Sequence, residues 1–171
     1  LAAAGLKMVY VGAESGDDQV LAAVNKGETF ETTCDALDKL GTAGITRSVM
    51  ILNGLGGKVH SRQHAENSAR LANATQPEYL ATLVVSFPLG EARFRAGFPG
   101  WEPLDQHGLF VEMERFLLQL ELRKTIFRSD HASNILVLNT DTMRELAIVE
   151  NHPTVDQTAF GLFSDLISLL Q

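Results

Sequence analysis

The chain has 171 residues and a net charge of −7, with 45% hydrophobic and 20% charged residues. That balance excludes disordered and fibrous classes, and the scattered basic residues argue against a duplex-DNA binder. A single cysteine, Cys34, excludes an intramolecular disulfide framework. No apolar run approaches the ~20 residues of a membrane span. No basic leader with an apolar core opens the chain, so the expectation is a cytoplasmic protein without a membrane partner. The length suits about one domain, able to bury roughly 70% of its unfolded surface.

In chain order, two stretches repeat one pattern: "LAAAGLKMVYVG" and "LGTAGITRSVMILNG". Each has an Ala- and Leu-rich helix tail, then Gly5 or Gly44 as a left-handed helix stop, then an apolar run. Met8–Val11 and Val49–Leu52 are nearly continuous apolar runs, the pattern of parallel strands covered on both faces. Helices are expected between them at about Asp17–Asn25 and Glu31–Thr42, then a helix at about Ser61–Asn73 and a strand at Tyr79–Val85. Strands joined by crossover helices define an α/β fold, either doubly wound or part of a barrel. Beyond Val85, "SFPLGEARFRAGFPGWEPLDQHG" is too long for a bare connector. An amphipathic helix over Phe110–Thr125 follows, then a loop-like "FRSDHASNILVL" and two further helices. The last starts at Thr154, with Gln157 completing a capping box. "LAAAG" reads as the tail of a helix whose start is missing, so the chain is expected to be the later part of something longer.

The chemistry concentrates at strand ends. "GAESG" puts Glu14 where the first strand breaks into a loop, the edge at which parallel α/β folds bind ligands. A carboxylate there can accept from a ribose diol or an ammonium group. Ser15, with Asp18 at the third position, also has the spacing of a helix N-cap, and the two readings are compatible. "NGLGG", Asn53–Gly57, ends the second strand; it suits either a phosphate-approaching backbone or a turn with unusual dihedrals. No Gly-Lys-Ser/Thr follows, so it is not a Walker loop. His60 and His64 stand four apart, but the residue after the first is Ser61 rather than the glutamate of a zincin, and Ser61 is better read as an N-cap. Cys34 is expected to be a buried structural thiol.

These motifs together resemble the later half of a radical S-adenosylmethionine (SAM) enzyme core. The resemblance is to the branch of oxygen-independent coproporphyrinogen oxidases, methylthiotransferases and Elongator catalytic-subunit-like proteins. It rests on Gly12-Ala13-Glu14-Ser15, Asn25-Lys26-Gly27, Ala43-Gly44-Ile45 and Gly54-Leu55-Gly56-Gly57 in that order, and on "FRSDHASN" further on. It implies the later portion of an incomplete (β/α)6 TIM-like barrel, about three βα units over residues 1–100. A mainly helical C-terminal extension then spans residues 101–171. It further implies that Glu14 and Ser15 meet the ribose side of SAM and that Lys26 meets its carboxylate. Gly54, Gly56 and Val84 would flank the adenine. The family's Cys-x-x-x-Cys-x-x-Cys motif, which holds a 4Fe-4S cluster, is not present in these residues.

The expected partner is therefore a missing N-terminal part of the barrel, with this chain inactive by itself and its substrate not specified. Arg128 and His131 are candidate contributors to the open end of the barrel. Two other readings stand beside this one. One is a small α/β enzyme that binds a phosphate ligand on the Gly54–Gly57 turn. The other is a non-catalytic module that forms a homodimer through an exposed sheet edge.

Overall fold

The computed structural model describes residues 1–87, 91–123, 125–130, 133–140 and 144–151, with side chains as far as Phe127. A single 3-10 turn at Ala2–Ala4 leads into strand β1 (Met8–Glu14). Helices α1 (Asp18–Ala23) and α2 (Phe30–Thr42), strand β2 (Thr46–Asn53), helix α3 (Gly57–Thr75) and strand β3 (Tyr79–Val84) follow. Then come α4 (Ala92–Gly97), α5 (Gln106–Leu118), β4 (Ile126–Asp130), and an antiparallel pair, β5 (Ser133–Thr140) and β6 (Arg144–Asn151).

Strands β1 to β4 form one sheet in the order β1-β2-β3-β4, every pair parallel. A parallel sheet whose spatial order follows its chain order, with right-handed crossovers, carries its helices on one face. That is how the wall of a βα barrel is built, whereas a doubly wound sheet reverses its order. The expected α/β architecture is therefore present. It is extended by a fourth parallel strand, β4, in which Phe127 pairs with Leu80 and Arg128 with Ala81.

Helix ends follow local chemistry. Gly5 and Gly44 both take the left-handed conformation expected of a helix stop (φ 93° and 72°). After α2, Ile45 N–H donates to Leu40 C=O and Gly44 N–H to Gly41 C=O, the paired bonds of a Schellman cap. Asn25 does the same after α1 at φ 55°, with Lys26 N–H reaching back to Leu21 C=O.

The core lies between the sheet and helices α2, α3 and α5, around Leu37, Val49, Ile51, Leu71, Leu80 and Phe116. Small residues of α3, among them Ala65, Ala69 and Ala72, let that helix sit close to the strands. In β2 the buried residues are Arg47, Val49, Ile51 and Asn53, while Thr46, Ser48, Met50 and Leu52 stay half-buried. The near-continuous apolar runs thus meet cover on one face only, which corrects the expectation of two covered faces. The opposite face is more open, with Tyr10 at 76% exposure.

Other expectations shift. Helix α5 starts at Gln106, because Asp105 accepts from Gly108 N–H as its N-cap, and it stops at Leu118. Within the extension, α5 is joined by strands β4, β5 and β6, so "FRSD" is a ladder segment rather than a loop. Its polar residues hide the strand locally, and parallel pairing with β3 supplies the ladder. The cap at Thr154, the last helix and His131 lie outside the described residues. Among the described residues, no helix is long and apolar enough to cross a membrane.

At the amino end of the sheet, Arg47 is a structural hub. Its guanidinium donates to both Glu78 carboxylate oxygens (2.8 and 3.1 Å) and to the carbonyls of Thr75 and Gln76 (2.9 and 3.0 Å). These hydrogen bonds hold the Glu78 carboxyl down at about 2, against the mild upward push of burial.

Candidate functional site

The carboxyl ends of β1, β2 and β3 lie along one edge, where Glu14 pairs with Ile51 and Asn53 with Val84. β1 does not end smoothly. Its register slips between Gly12 and Glu14, and Glu14 sits at φ 65°, a left-handed conformation uncommon outside glycine. Strain of this kind persists only where surrounding contacts fix it, and it concentrates at functional positions. The carboxylate turns back over Gly12, where an added Cβ would lie 2.5 Å from Oε1. It is held there by Lys26, whose Nζ is 3.0 Å from Oε1. The Schellman cap at Asn25 delivers that lysine, since it turns the chain after α1 back toward the strand end. Both side chains remain reachable from solvent, at 23% and 32% exposure for Glu14 and Lys26. The two residues expected to face opposite ends of one ligand are therefore a single ion pair.

Ser15 is buried, and it is not the helix cap. Asp17 caps α1, accepting from the N–H groups of Gln19 and Val20 at 3.0 Å each. Ser15 Oγ instead accepts from Asp17 N–H (2.9 Å) and lies 2.8 Å from His64 Nδ1. His64 Nε2 is 3.0 Å from the Leu52 carbonyl, which can only accept, so the proton sits on Nε2 and Ser15 donates to Nδ1. Burial lowers the His64 ring to about 4, outweighing the opposing pull of the Leu52 carbonyl and of Asp17. It is a neutral strut tying β2, α3 and the β1–α1 loop together. Burial tends to raise the Asp17 carboxyl, but hydrogen bonds from Val20, Asn67, Gln63 and Gln19 win and hold it below its ordinary value. Gly16 completes the joint: a Cβ there would overlap the Asn67 backbone, so only glycine lets this loop press against α3.

The Gly54–Gly57 turn is roofed by the segment leading into α5. Trp101 Nε1–H donates to the Leu55 carbonyl (3.0 Å), and Lys58 N–H donates to the Glu102 carbonyl (3.0 Å). Gly54 N–H donates to Glu112 Oε1 at 2.5 Å, and Gly57 N–H to the Gly54 carbonyl at 3.0 Å. With those donors engaged, the turn would meet a ligand through shape more than through free amides, which weakens the phosphate-cradle reading. Gly56 is the N-cap of α3, and the helix runs through Ser61, which is therefore not its N-cap. The signal for the earlier start, Glu102 accepting from Lys58, comes from 44 residues away.

Sequence reasoning missed Glu112. It sits at 1% exposure on α5, beside Met113 and Phe116, and burial raises its carboxyl to about 7 despite lowering contributions from Ser61, Gly54 and Arg115. The only sequence signal was a glutamate beside the apolar stripe of an amphipathic helix.

The donor set does not fit an iron–sulfur cluster. Cys34 lies on α2, with its thiol pushed up first by burial and then by Asp38. Among the described residues, no group of three or more His, Cys, Asp or Glu is arranged around a metal position. The Glu14–Lys26 pair does fit SAM chemically, offering an acceptor for hydroxyls and a cation for a carboxylate.

The model of the radical SAM superfamily matches residues 1–72 of the chain. That span runs from the first 3-10 turn into α3 and contains Glu14, Ser15, Lys26, Gly54 and Gly56. A search of the curated proteins finds no match to the chain.

Proposed function

We propose that this chain contributes part of the SAM-binding wall of a radical SAM Fe–S oxidoreductase. Glu14 would take the ribose side, with Ser15 fixing the loop that carries it, and Lys26 would take the carboxylate. Gly54, Gly56 and Val84 would flank the adenine. The single observation that carries the reading is the strained Glu14 paired with Lys26 at the carboxyl edge of a sequentially ordered parallel sheet. The match over residues 1–72 supports it. Residues 1–100 would form the barrel part and residues 101–171 an appended region, in a protein of the branch that the ordered motifs resemble.

The cluster that reduces SAM in this superfamily would be held by cysteines outside these 171 residues, on barrel strands that add at the outer edge of β1. The chain alone then forms no 5′-deoxyadenosyl radical. Anaerobic reconstitution with iron and sulfide tests this, and 5′-deoxyadenosine produced by the chain alone would refute it. Isothermal titration separates the main competitor: SAM binding supports the proposal, and sugar-phosphate binding without SAM affinity favours a phosphate enzyme. The edge of β1 would also serve a homodimer, and sedimentation as a monomer at micromolar concentration counts against that use.

A further inference from the structure

Helix α5 belongs to the extension, yet one of its side chains reaches the turn at the end of β2. Glu112 Oε1 accepts from Gly54 N–H, while Glu112 Oε2 is buried without a hydrogen-bond partner. Next to it is a small cavity with room for about one water, lined by Asn53, His64, Ser68, Thr82, Met113 and Phe116 among others. The contact is tight on the apolar side as well: a Cβ at Gly54 would lie 2.9 Å from Leu109 Cδ2. Asn53 Nδ2 also donates to the Leu109 carbonyl, at 3.4 Å.

A carboxylic acid in this position accepts one amide bond and offers its own O–H to Ser61 or to a water in the cavity. A carboxylate would place half of its charge on Oε2, which lacks a hydrogen-bond partner in this geometry and has the Ser61 hydroxyl as its nearby donor, against methionine and phenylalanine. Among the described residues, no Lys or Arg side chain forms a salt bridge with Glu112. From α3, His64 Nε2 is 3.8 Å from Oε1, but its ring is held neutral and its proton is committed to Leu52. His60, also on α3, has a buried Nδ1 without a partner and packs on Phe98. From α5 itself, Arg115 acts only at a distance. Asp17, in the β1–α1 loop, acts on His64, and in the roofing segment Glu102 is paired with Lys58.

We propose that Glu112 is a proton-dependent positioning residue: as a neutral acid it clamps α5 onto the Gly54–Gly57 turn, and ionisation admits water and loosens that clamp. Ligand access at the strand ends is thereby coupled to protonation of a side chain in the extension. The clamp stands independently of the SAM reading, because it is observable without any ligand.

Trp101 is the single tryptophan of the chain and is hydrogen-bonded to the same turn, so it reports the clamp directly. Its emission is expected to shift to the red in one transition between pH 6 and 8, with a midpoint near the Glu112 value of about 7. Glu112→Gln should abolish that transition while preserving the low-pH spectrum, and His60→Gln should keep it. In the wild-type chain, the Gly54 amide proton and the Glu112 carboxyl carbon should titrate together by NMR. The NMR readout also decides the matter if Glu112→Gln fails to fold. A flat Trp101 signal across this range, a transition that survives Glu112→Gln, or a Glu112 carboxyl titrating in the ordinary glutamate range overturns the proposal.

Discussion

The two ends of the parallel sheet treat charge in opposite ways. At the amino end, Arg47 gives its guanidinium to Glu78 and to nearby backbone carbonyls, among them that of Gln76, which caps α3 in the left-handed conformation (φ 46°). At the carboxyl end, Glu14 is held left-handed beside a slipped register, Glu112 is a buried acid with one idle oxygen, and His64 is a buried neutral ring. The amino end pairs its buried guanidinium with a carboxylate and with backbone carbonyls, as a stabilising end should. The carboxyl end instead holds a strained, partly exposed ion pair and two buried titratable groups, the kind of arrangement that concentrates at functional positions.

The largest effect of breaking this contrast should come from the amino end. Arg47→Met strands Glu78 and the carbonyls beneath it and should cost about 3–4 kcal/mol in urea unfolding. It should leave ligand binding unchanged once folding is corrected for. The folded Glu78 carboxyl lies near 2, below its ordinary 4.5, so its contribution is present above pH 4.5 and is lost as pH falls through 2. Arg47→Met should flatten that acid limb.

Glu112 should give the next effect, with the opposite sign. Its folded value of about 7 lies above the ordinary 4.5, so the native state holds a proton that the unfolded chain has released. Stability from this group is complete below pH 4.5 and is lost as pH rises to 7, by roughly 3 kcal/mol in all. Glu112→Gln should remove the decline. His64 works against it: with a folded value of about 4 against 6.5, its contribution is present above pH 6.5 and is lost as pH falls through 4. Paired pH–stability curves for wild type and Glu112→Gln separate the two.

Gly54→Ala should cost about 2 kcal/mol by thermal unfolding, since alanine at φ 84° is strained and its Cβ meets Leu109. The smallest effect on stability belongs to the strand-end pair. Glu14→Gln and Lys26→Met should each change it by less than about 1 kcal/mol, the worth of a partly exposed ion pair. Each should nevertheless weaken SAM binding by about tenfold or more, through loss of a charged hydrogen bond.

Much of this contrast was legible in the sequence, because its causes are local. Glycine stops and apolar runs placed β1, β2, β3 and the helices between them, with Glu14 at a strand end, while Lys26 was singled out by the family resemblance. What stayed hidden depends on distant partners. Ser15 has the spacing of an N-cap, but Asp17 takes that role because Ser15 is engaged by His64, 49 residues away. Glu112 has no local sign of burial, because its partner, Gly54, lies 58 positions earlier. β4 was concealed by Arg128, Ser129 and Asp130, whose polarity reads as loop until β3 supplies a ladder.

The central claim is that the carboxyl end of the sheet, and not the amino end, is the ligand edge. Titrating SAM into the isotopically labelled chain and following backbone amides by NMR tests it most directly. The predicted result is saturable shifts at Glu14, Ser15, Lys26 and Val84, silence at Arg47 and Glu78, and loss of the response in Glu14→Gln and Lys26→Met. An absence of shifts at millimolar SAM, or shifts that those two substitutions leave intact, would contradict it.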